Sequence, residues 1–455
     1  MNPATAVTTS PLLALLAFIG VIVVLLFLIA KWRWHVFLAL LIPLLLFGVI
    51  PGVQTNNFID AFETGFGNTL GSIGVVIVLG SIIAEALRHT GAIQTITRSM
   101  VAAVGAKRMP LALTLTGFVL GIAIFSDVAY VILNPLVHSA AKLMSVPISV
   151  MSTGLVGALQ LTHAIVPPTP GPLAAAALVG ADIGKTIIFG AVACFAGSIT
   201  AWLWGQYVAG PRIATPPSEE FAGTDFFAAG GGRNLPGALS SYAPIAVPIL
   251  LISAQSVSRL FLAEDHMLRA GLAYVGWPVA ALSIGVWLSY RNIRTDEHRK
   301  QAKSAWIEEA LRLSAMILVV TGLGGSLSEI LKGTPAVDTI SGFFAANGLP
   351  AILLPFVIGI IGNMITGSTT VGVITAASLV APMLQSLGLS PEAAMLSGAS
   401  GSVIVKYVNS SYFWVCTSLS GLKVNDAIFA YGGATLVGGI ASFAAVWAMW
   451  ALGMI

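Results

Sequence analysis

One stretch of this 455-residue chain recurs further along it. Residues 80–96 (GSIIAEALRHTGAIQTI) align without a gap on residues 324–340 (GGSLSEILKGTPAVDTI). Seven of the seventeen positions are identical, among them Glu85/Glu329, Leu87/Leu331, Thr90/Thr334 and Ala92/Ala336. The same offset of 244 residues pairs Gly154 with Gly398, Gly157 with Gly401 and His163 with Tyr407. An offset of 241 then carries Gly180, Ile187, Gly197 and Ile199 onto Gly421, Ile428, Gly438 and Ile440. A duplication inside an apolar chain is the signature of a secondary transporter, whose site forms where the two copies meet.

The medium follows from the side chains. Of all residues 57% are hydrophobic and 9% charged, against about 25% charged in soluble domains. Apolar runs such as Leu12–Ile29 recur from end to end, and many are long enough to cross a hydrocarbon core of roughly 30 Å. No basic stretch precedes the first run and no small-residue cleavage site follows it, so it reads as a retained span. The net charge of +3 is too small and too scattered for a nucleic-acid surface. Cys194 and Cys416 lie in apolar segments, which leaves no disulfide framework and no metal cluster. The glycine string Gly322-Leu323-Gly324-Gly325 follows no strand and carries no Lys-Ser/Thr, which argues against a phosphate loop. No cofactor is expected.

Basic residues give the orientation. They collect at Lys31 and Arg33; at Arg88, Arg98, Lys107 and Arg108; and at Arg291, Arg294, Arg299, Lys300 and Lys303. The positive-inside rule places these loops in the cytoplasm. The counterpart of the second loop, residues 332–349, keeps only Lys332. One copy therefore has a basic loop where its duplicate has none, which predicts repeats of opposite orientation. The two uncharged termini suit a periplasmic placement, so a multi-pass protein of a bacterial inner membrane is expected.

The expected fold is an all-α polytopic membrane protein. It has two inverted repeats with broken helices and with hairpins that are either re-entrant or ordinary spans, and about 10–14 membrane segments in all. N-terminal scaffold spans occupy 1–70. Repeat 1 occupies 71–210, with a hairpin at 110–142 and a broken span at 147–182. A Pro-, Gly- and acid-rich cytoplasmic linker follows at 211–240, holding Glu219, Glu220 and Asp225. Connecting spans fill 241–302. Repeat 2 occupies 303–455, with a hairpin at 350–386 and a broken span at 392–421.

Chemistry is expected where helices break, because a bilayer core tolerates unwound backbone only inside protein or beside a cavity. Such breaks expose unpaired N–H groups and the positive end of a half-helix, which together suit a carboxylate. Four breaks fall at equivalent places: Ser126-Asp127, Thr366 to Thr370, His163 to Pro172 and Tyr407 to Ser411. They are filled with hydroxyls, amides, glycines and prolines, which suits a small hydroxylated anion. Close helix packing through small residues explains the isolated glycine pairs elsewhere.

At these residues the chain resembles the gluconate permease family, the gluconate:proton symporters and their relatives within the ion-transporter superfamily. The matching stretches are GFGNTLGSIGVVIVLG (65–80), HAIVPPTPGPLAAA (163–176), ADIGKTI (181–187), GSTTVGVITAASLVAP (367–382) and YVNSSYFW (407–414). The resemblance implies a sugar-acid symporter driven by protons, with sodium as the alternative ion. It also implies a homodimer whose transport domain slides against a scaffold in an elevator motion. This chain departs from the family pattern in three places. Thr169 stands where PPHPGP has its histidine, and Lys406-Tyr407-Val408-Asn409-Ser410 replaces a Ser-His-Val-Asn-Asp string. Asp127 stands in place of a glutamate at the first hairpin tip. Another carboxylate (a hydroxy acid, dicarboxylate or amino acid) is therefore the competing substrate.

The expected substrate contacts are Ser126, Asp127, His163, Thr169, Gly171, Ser368, Thr369, Thr370, Lys406, Asn409 and Ser410. Asp127 and His163 also carry proton coupling. A mid-membrane carboxylate is expensive and usually functional, and a histidine can donate to an anion or relay a proton. Lys406 is either a counter-charge for the anion, a partner for Asp127 or a snorkelling surface lysine. A polytopic enzyme with Asp127 and His163 as acid and base is the other class, as is a channel. The enzyme fits poorly with special positions spread evenly over two repeats, and internal breaks that contain charge and proline fit alternating access better than a continuous pore.

Overall fold

The structure is a computed structural model. It describes residues 34–48, 58–218, 235–332, 347–408 and 410–455, with scattered positions between 16 and 32. Most of the first apolar run, the linker acids Glu219, Glu220 and Asp225, most of the 332–349 loop and Asn409 therefore lie outside the described residues. Among the described residues the secondary structure is helical throughout.

After α1 (Val36–Gly48), repeat 1 begins within α2 (Phe58–His89). It continues through α3 (Ala92–Val104), α4 (Met109–Gly121), α5 (Ser126–Leu143), α6 (Ile148–Ile165), α7 (Pro170–Val179) and α8 (Ile183–Leu203). The connection holds α9 (Ala238–Phe261), α10 (Met267–Val275) and α11 (Pro278–Tyr290). Repeat 2 consists of α12 (Ala305–Lys332), α13 (Leu353–Thr366), α14 (Thr369–Val380), α15 (Pro391–Ser402), α16 (Ser411–Ser420) and α17 (Gly433–Ala451). Local chemistry sets the interruptions. Gly367, at φ 72°, ends α13 in the left-handed region, and Ser368 then starts α14 by accepting from Val371 N–H at 3.3 Å. Pro170 occupies the first turn of α7, where its missing N–H costs nothing. Gly180 (φ 74°) ends α7 and Gly421 (φ 65°) ends α16, so the same left-handed glycine closes both broken spans.

Equivalent helices pack on each other head to tail. Gly65 abuts the Gly325 carbonyl, Gly74 lies against Leu318, and the Ser314 hydroxyl donates to Ser81 at 3.0 Å. One number rises as the other falls, so α2 and α12 run antiparallel, and Gly74 and Leu318 are 244 residues apart. In the second such pair Gly197 abuts Gly438, 241 residues on, while Thr200 reaches Val437 O and Trp204 Nε1 donates to Phe429 O. Thus α8 also runs antiparallel to its duplicate α17. Helices that correspond by sequence yet point in opposite directions are what inverted repeats require. Within each copy the first hairpin arm lies parallel to the first half of the broken span. Gly117 and Gly121 of α4 meet Leu155 and Leu159 of α6, and Gly359 of α13 meets Gly398 of α15. Backbone approaches this close leave no room for a Cβ.

Seven described helices, counting continuous pairs as one, are long and apolar enough to cross a bilayer. Joining Met267–Val275 to Pro278–Tyr290 across their 62° bend makes eight. Three hairpin arms, of 13, 18 and 14 residues, are shorter than the roughly 20 residues a full crossing needs, whereas α14 continues to Leu387 and counts among the seven. Two sequence expectations change. The stretch between Arg88 and Lys107 is not a plain loop, because α3 buries Ala92, Ile93, Ile96, Thr97 and Val101 at helical spacing. Its basic residues disguise an amphipathic helix. Helix α2 begins at Phe58 and runs unbroken across the 70/71 boundary.

Candidate functional site

The four breaks meet. A cavity of about 330 Å³ lies among Ser126 and Asp127 at the first hairpin tip, Thr366 to Thr370 at the second, His163 in the first broken span and Lys406 and Ser410 in the second. Three helices begin at its wall: α5 at Ser126, α14 at Thr369 and α16 at Ser411. Their first N–H groups have no partner within the helix, and the three dipoles favour negative charge. Ser410 precedes α16 without bonding to it through its side chain, which leaves that hydroxyl to the cavity.

Lys406 brings a buried amine to the cavity wall. Only 3% exposed, it donates from Nζ to Asn363 Oδ1 at 2.8 Å and to the Gly367 carbonyl at 2.7 Å. It therefore caps the carbonyl end of α13 at the second hairpin tip, a favourable place for a cation. An ammonium has three donors, and a third remains beside the cavity that Lys406 lines. Its own backbone N–H is held by Thr435 Oγ1 at 2.9 Å. Val405 just before it has φ 54°, a region that β-branched residues rarely adopt. Of the three roles open to Lys406 in the sequence, snorkelling is ruled out by its burial. No ion pair to Asp127 forms either, and the amine is held by neutral groups instead.

Asp127 stands in the first turn of α5, half-buried, with Oδ1 accepting from Val128 N–H at 2.9 Å. His163 ends α6 at 7% exposure, beside the Phe125 ring (5.4 Å between centroids), and its Nδ1 has no partner. A buried ring nitrogen left unpaired at a cavity wall is an invitation to a ligand. Gln160, one turn earlier, was not picked out from the sequence. Its Oε1 accepts from Ser126 at 3.4 Å and its Nε2 donates to Thr369 at 3.0 Å, so one amide ties the two hairpin tips together. Asn363 and Tyr412 were missed as well, and Thr366 and Ser411 were marked only as the ends of breaks. An uncharged amide or hydroxyl in an apolar run gives no titration or spacing signal, and only the fold brings these together.

Eight of the expected residues line this cavity: Ser126, Asp127, His163, Ser368, Thr369, Thr370, Lys406 and Ser410. Two do not. The Thr169 hydroxyl turns back to donate to the His163 and Val166 carbonyls at 2.9 and 2.8 Å, so it stabilises the break instead of facing a solute. Gly171 packs against Thr370, where a Cβ would come within 3.2 Å of its hydroxyl. Among the described residues no group of three or more His, Cys, Asp and Glu could hold a metal.

Antiparallel duplicate helices, broken around a polar cavity, are the arrangement of a secondary transporter. The chain matches the model for "GntP family permease" over residues 12–453 and belongs to that family. It is a multi-pass membrane transporter of the gluconate permease family, not an enzyme. It is 31% identical to an uncharacterized permease of Haemophilus influenzae over 91% of this chain and 86% of that protein. It is 29% identical to a gluconate permease of Pseudomonas aeruginosa over 91% of each chain. With the D-serine transporter DsdX of Escherichia coli the identity is 29%, over 93% of this chain and 95% of that one. The fold is similar to that of the YdaH transporter of Alcanivorax borkumensis, described as having an unusual topology. The TM-score is 0.62 at 16% identity, covering 97% of this chain and 98% of the other.

Proposed function

We propose that the chain imports a small hydroxylated monocarboxylate across a bacterial inner membrane, with a sugar acid such as gluconate as the first candidate. The observation that carries this is Lys406: one buried amine, able to bind a carboxylate as an ammonium, at a cavity whose other polar groups are mainly hydroxyls and helix N-termini. The carboxylate sits against the Lys406 ammonium and the N–H groups of α14 and α16. Ser126, Thr369, Thr370 and Ser410 bind the solute's hydroxyls, and His163 Nδ1 completes the set. Relatives named for gluconate, L-idonate and D-serine carry solutes of this size with one carboxylate.

Coupling is to protons through Asp127. While ionised it repels an anion from the cavity, and once protonated it admits one, so solute and proton cross together. The moving part comprises the two hairpins, the broken spans and the helices α8 and α17 packed on them, which slide as an elevator past α2, α9, α11 and α12 of a homodimeric scaffold. The seam contains contacts that motion must break. Asp182 Oδ1 accepts from Ser256 at 2.5 Å and Oδ2 pairs with Arg259 at 3.7 Å, both across from α8 to α9.

A second reading rests on Asp127 facing the same cavity as Lys406. Opposite charges across one site suit a zwitterionic amino acid, whose ammonium would take the place of the coupling proton. Uptake of labelled gluconate and labelled D-serine into proteoliposomes, each with an imposed inward proton gradient, separates the two. Gluconate uptake that the gradient accelerates and that is insensitive to sodium supports sugar-acid symport. Uptake of D-serine alone, or dependence on sodium, overturns it.

A further inference from the structure

Helix α5 carries polar residues where its neighbours bury it. From Asp127 at the cavity, Tyr130, Asn134 and His138 follow at three- and four-residue steps and so share one face. All three are sealed inside the protein, at 0%, 1% and 1% exposure. Tyr130 and His138 are bonded. The Tyr130 hydroxyl meets Ser420, which also accepts from Tyr431 at 2.6 Å, and Tyr431 reaches Ser152 at 3.0 Å. His138 Nε2 donates to the Leu419 carbonyl at 2.9 Å, and Nδ1 accepts from Ser218 N–H at 3.0 Å.

Asn134 differs. Its amide nitrogen and its amide oxygen are both buried without a partner. Each unpaired buried polar group costs about 1–3 kcal/mol, and a partner at both ends of this amide would recover that cost. Water is the smallest molecule that both donates and accepts, and buried waters typically bridge such groups. Along a helix that rises 1.5 Å per residue, Asp127 and His138 are roughly 16 Å apart, with Asn134 between them.

We propose that the buried face of α5 holds a file of internal water, anchored on Asn134, that joins Asp127 at the cavity to His138 beneath the Ser218 segment. Its use for proton passage rests on the symport reading above. The Asp127 carboxylic acid gives its proton to the first water, and the excess proton moves by exchange along the file. His138 Nδ1 receives it as the Ser218 N–H bond opens, then returns it to bulk water on that side, so no other reactant is needed. Among the described residues the titratable groups around this face are few. They are Tyr412 and Cys416 on α16, Tyr431, Arg98 on α3, His163 on α6, and Lys142 one turn further along α5. Helix α4 and the 213–218 segment contribute none.

Hydroxyl-radical footprinting of the whole protein in nanodiscs tests the water file without any substrate, because radicals form from water in place. Tyr130 and His138 are expected to be oxidised several-fold more than the equally buried Phe413. Asn134→Leu is expected to cut that labelling at least fivefold while exposed Trp277 stays unchanged, and Asn134→Ser is expected to preserve it. Labelling of Tyr130 and His138 no higher than that of Phe413 overturns the file. Proteoliposomes loaded with a pH dye and given gluconate test its use. Asn134→Leu is expected to slow gluconate-driven acidification more than tenfold while the thermal shift with gluconate is retained. Unchanged acidification overturns the proton route. Absence of acidification in the unmodified protein removes the symport reading and the route built on it, and the footprint still decides the water file.

Discussion

At the scale of the residue, Lys406 and Asp127 divide the work. Removing a charged donor from a buried carboxylate contact typically costs about 1.5–3 kcal/mol, so Lys406→Ala is expected to weaken gluconate binding roughly 10- to 100-fold. The change in thermal shift with gluconate concentration measures it. The same substitution leaves Asn363 Oδ1 and the Gly367 carbonyl without their donor, so the ligand-free protein is expected to melt at a lower temperature. Asp127 is expected to set the pH response. Ionised, it opposes the anion; protonated, it permits entry. Uptake should therefore rise as external pH falls, and in Asp127→Asn that slope should disappear, as initial rates across a pH series would show. A slope that survives in Asp127→Asn would assign coupling elsewhere. Thr169 shows where residue-level inference failed: a hydroxyl in a broken segment serves the chain as readily as a ligand, and here it caps the backbone of the break.

At the scale of the element, glycine positions separate contact from mere presence. A Cβ on Gly359 would fall 2.2 Å from the Gly398 carbonyl, where α13 and α15 touch backbone to backbone. Overpacking of this kind costs about 1–3 kcal/mol or more, so Gly359→Ala is expected to lower the melting temperature by several degrees. Gly67 in α2 has nothing near it, and Gly67→Ala is expected to be neutral or stabilising, by up to about 1 kcal/mol. Thermal melts of the two variants check both. The helices and their breaks were legible in the chain because each break is written in residues with a local reason to stop a helix. Gly367-Ser368 and Pro167 to Pro172 are such strings, and duplication marked which mattered. Helix α3 was not legible, since Arg98, Lys107 and Arg108 dominate its stretch and its apolar positions show only as a periodicity. Gln160 was hidden for another reason. Its importance lies in bridging Ser126 and Thr369, 209 residues apart from the second of them, and no local pattern encodes that distance.

At the scale of the whole molecule, two antiparallel pairs of equivalent helices place a pseudo-two-fold axis through the protein, near Gly74/Leu318 and Gly197/Gly438. The cavity forms where both copies contribute a hairpin tip and a break, which gives one site from two repeats. An elevator motion requires α8 to move past α9, so the Asp182–Ser256 contact must part in every cycle. A disulfide between Asp182→Cys and Ser256→Cys is expected to stop uptake until a reductant restores it; transport that continues in the cross-linked protein would exclude sliding at this seam. The claim on which the rest depends is that this cavity, with Lys406 at its wall, is the substrate site. Its most direct test is the initial rate of labelled gluconate uptake into proteoliposomes under an inward proton gradient, for the unmodified protein and for Lys406→Ala. The account predicts saturable uptake whose KM rises at least tenfold in the variant. A KM that stays the same while uptake persists would place the substrate elsewhere and contradict it.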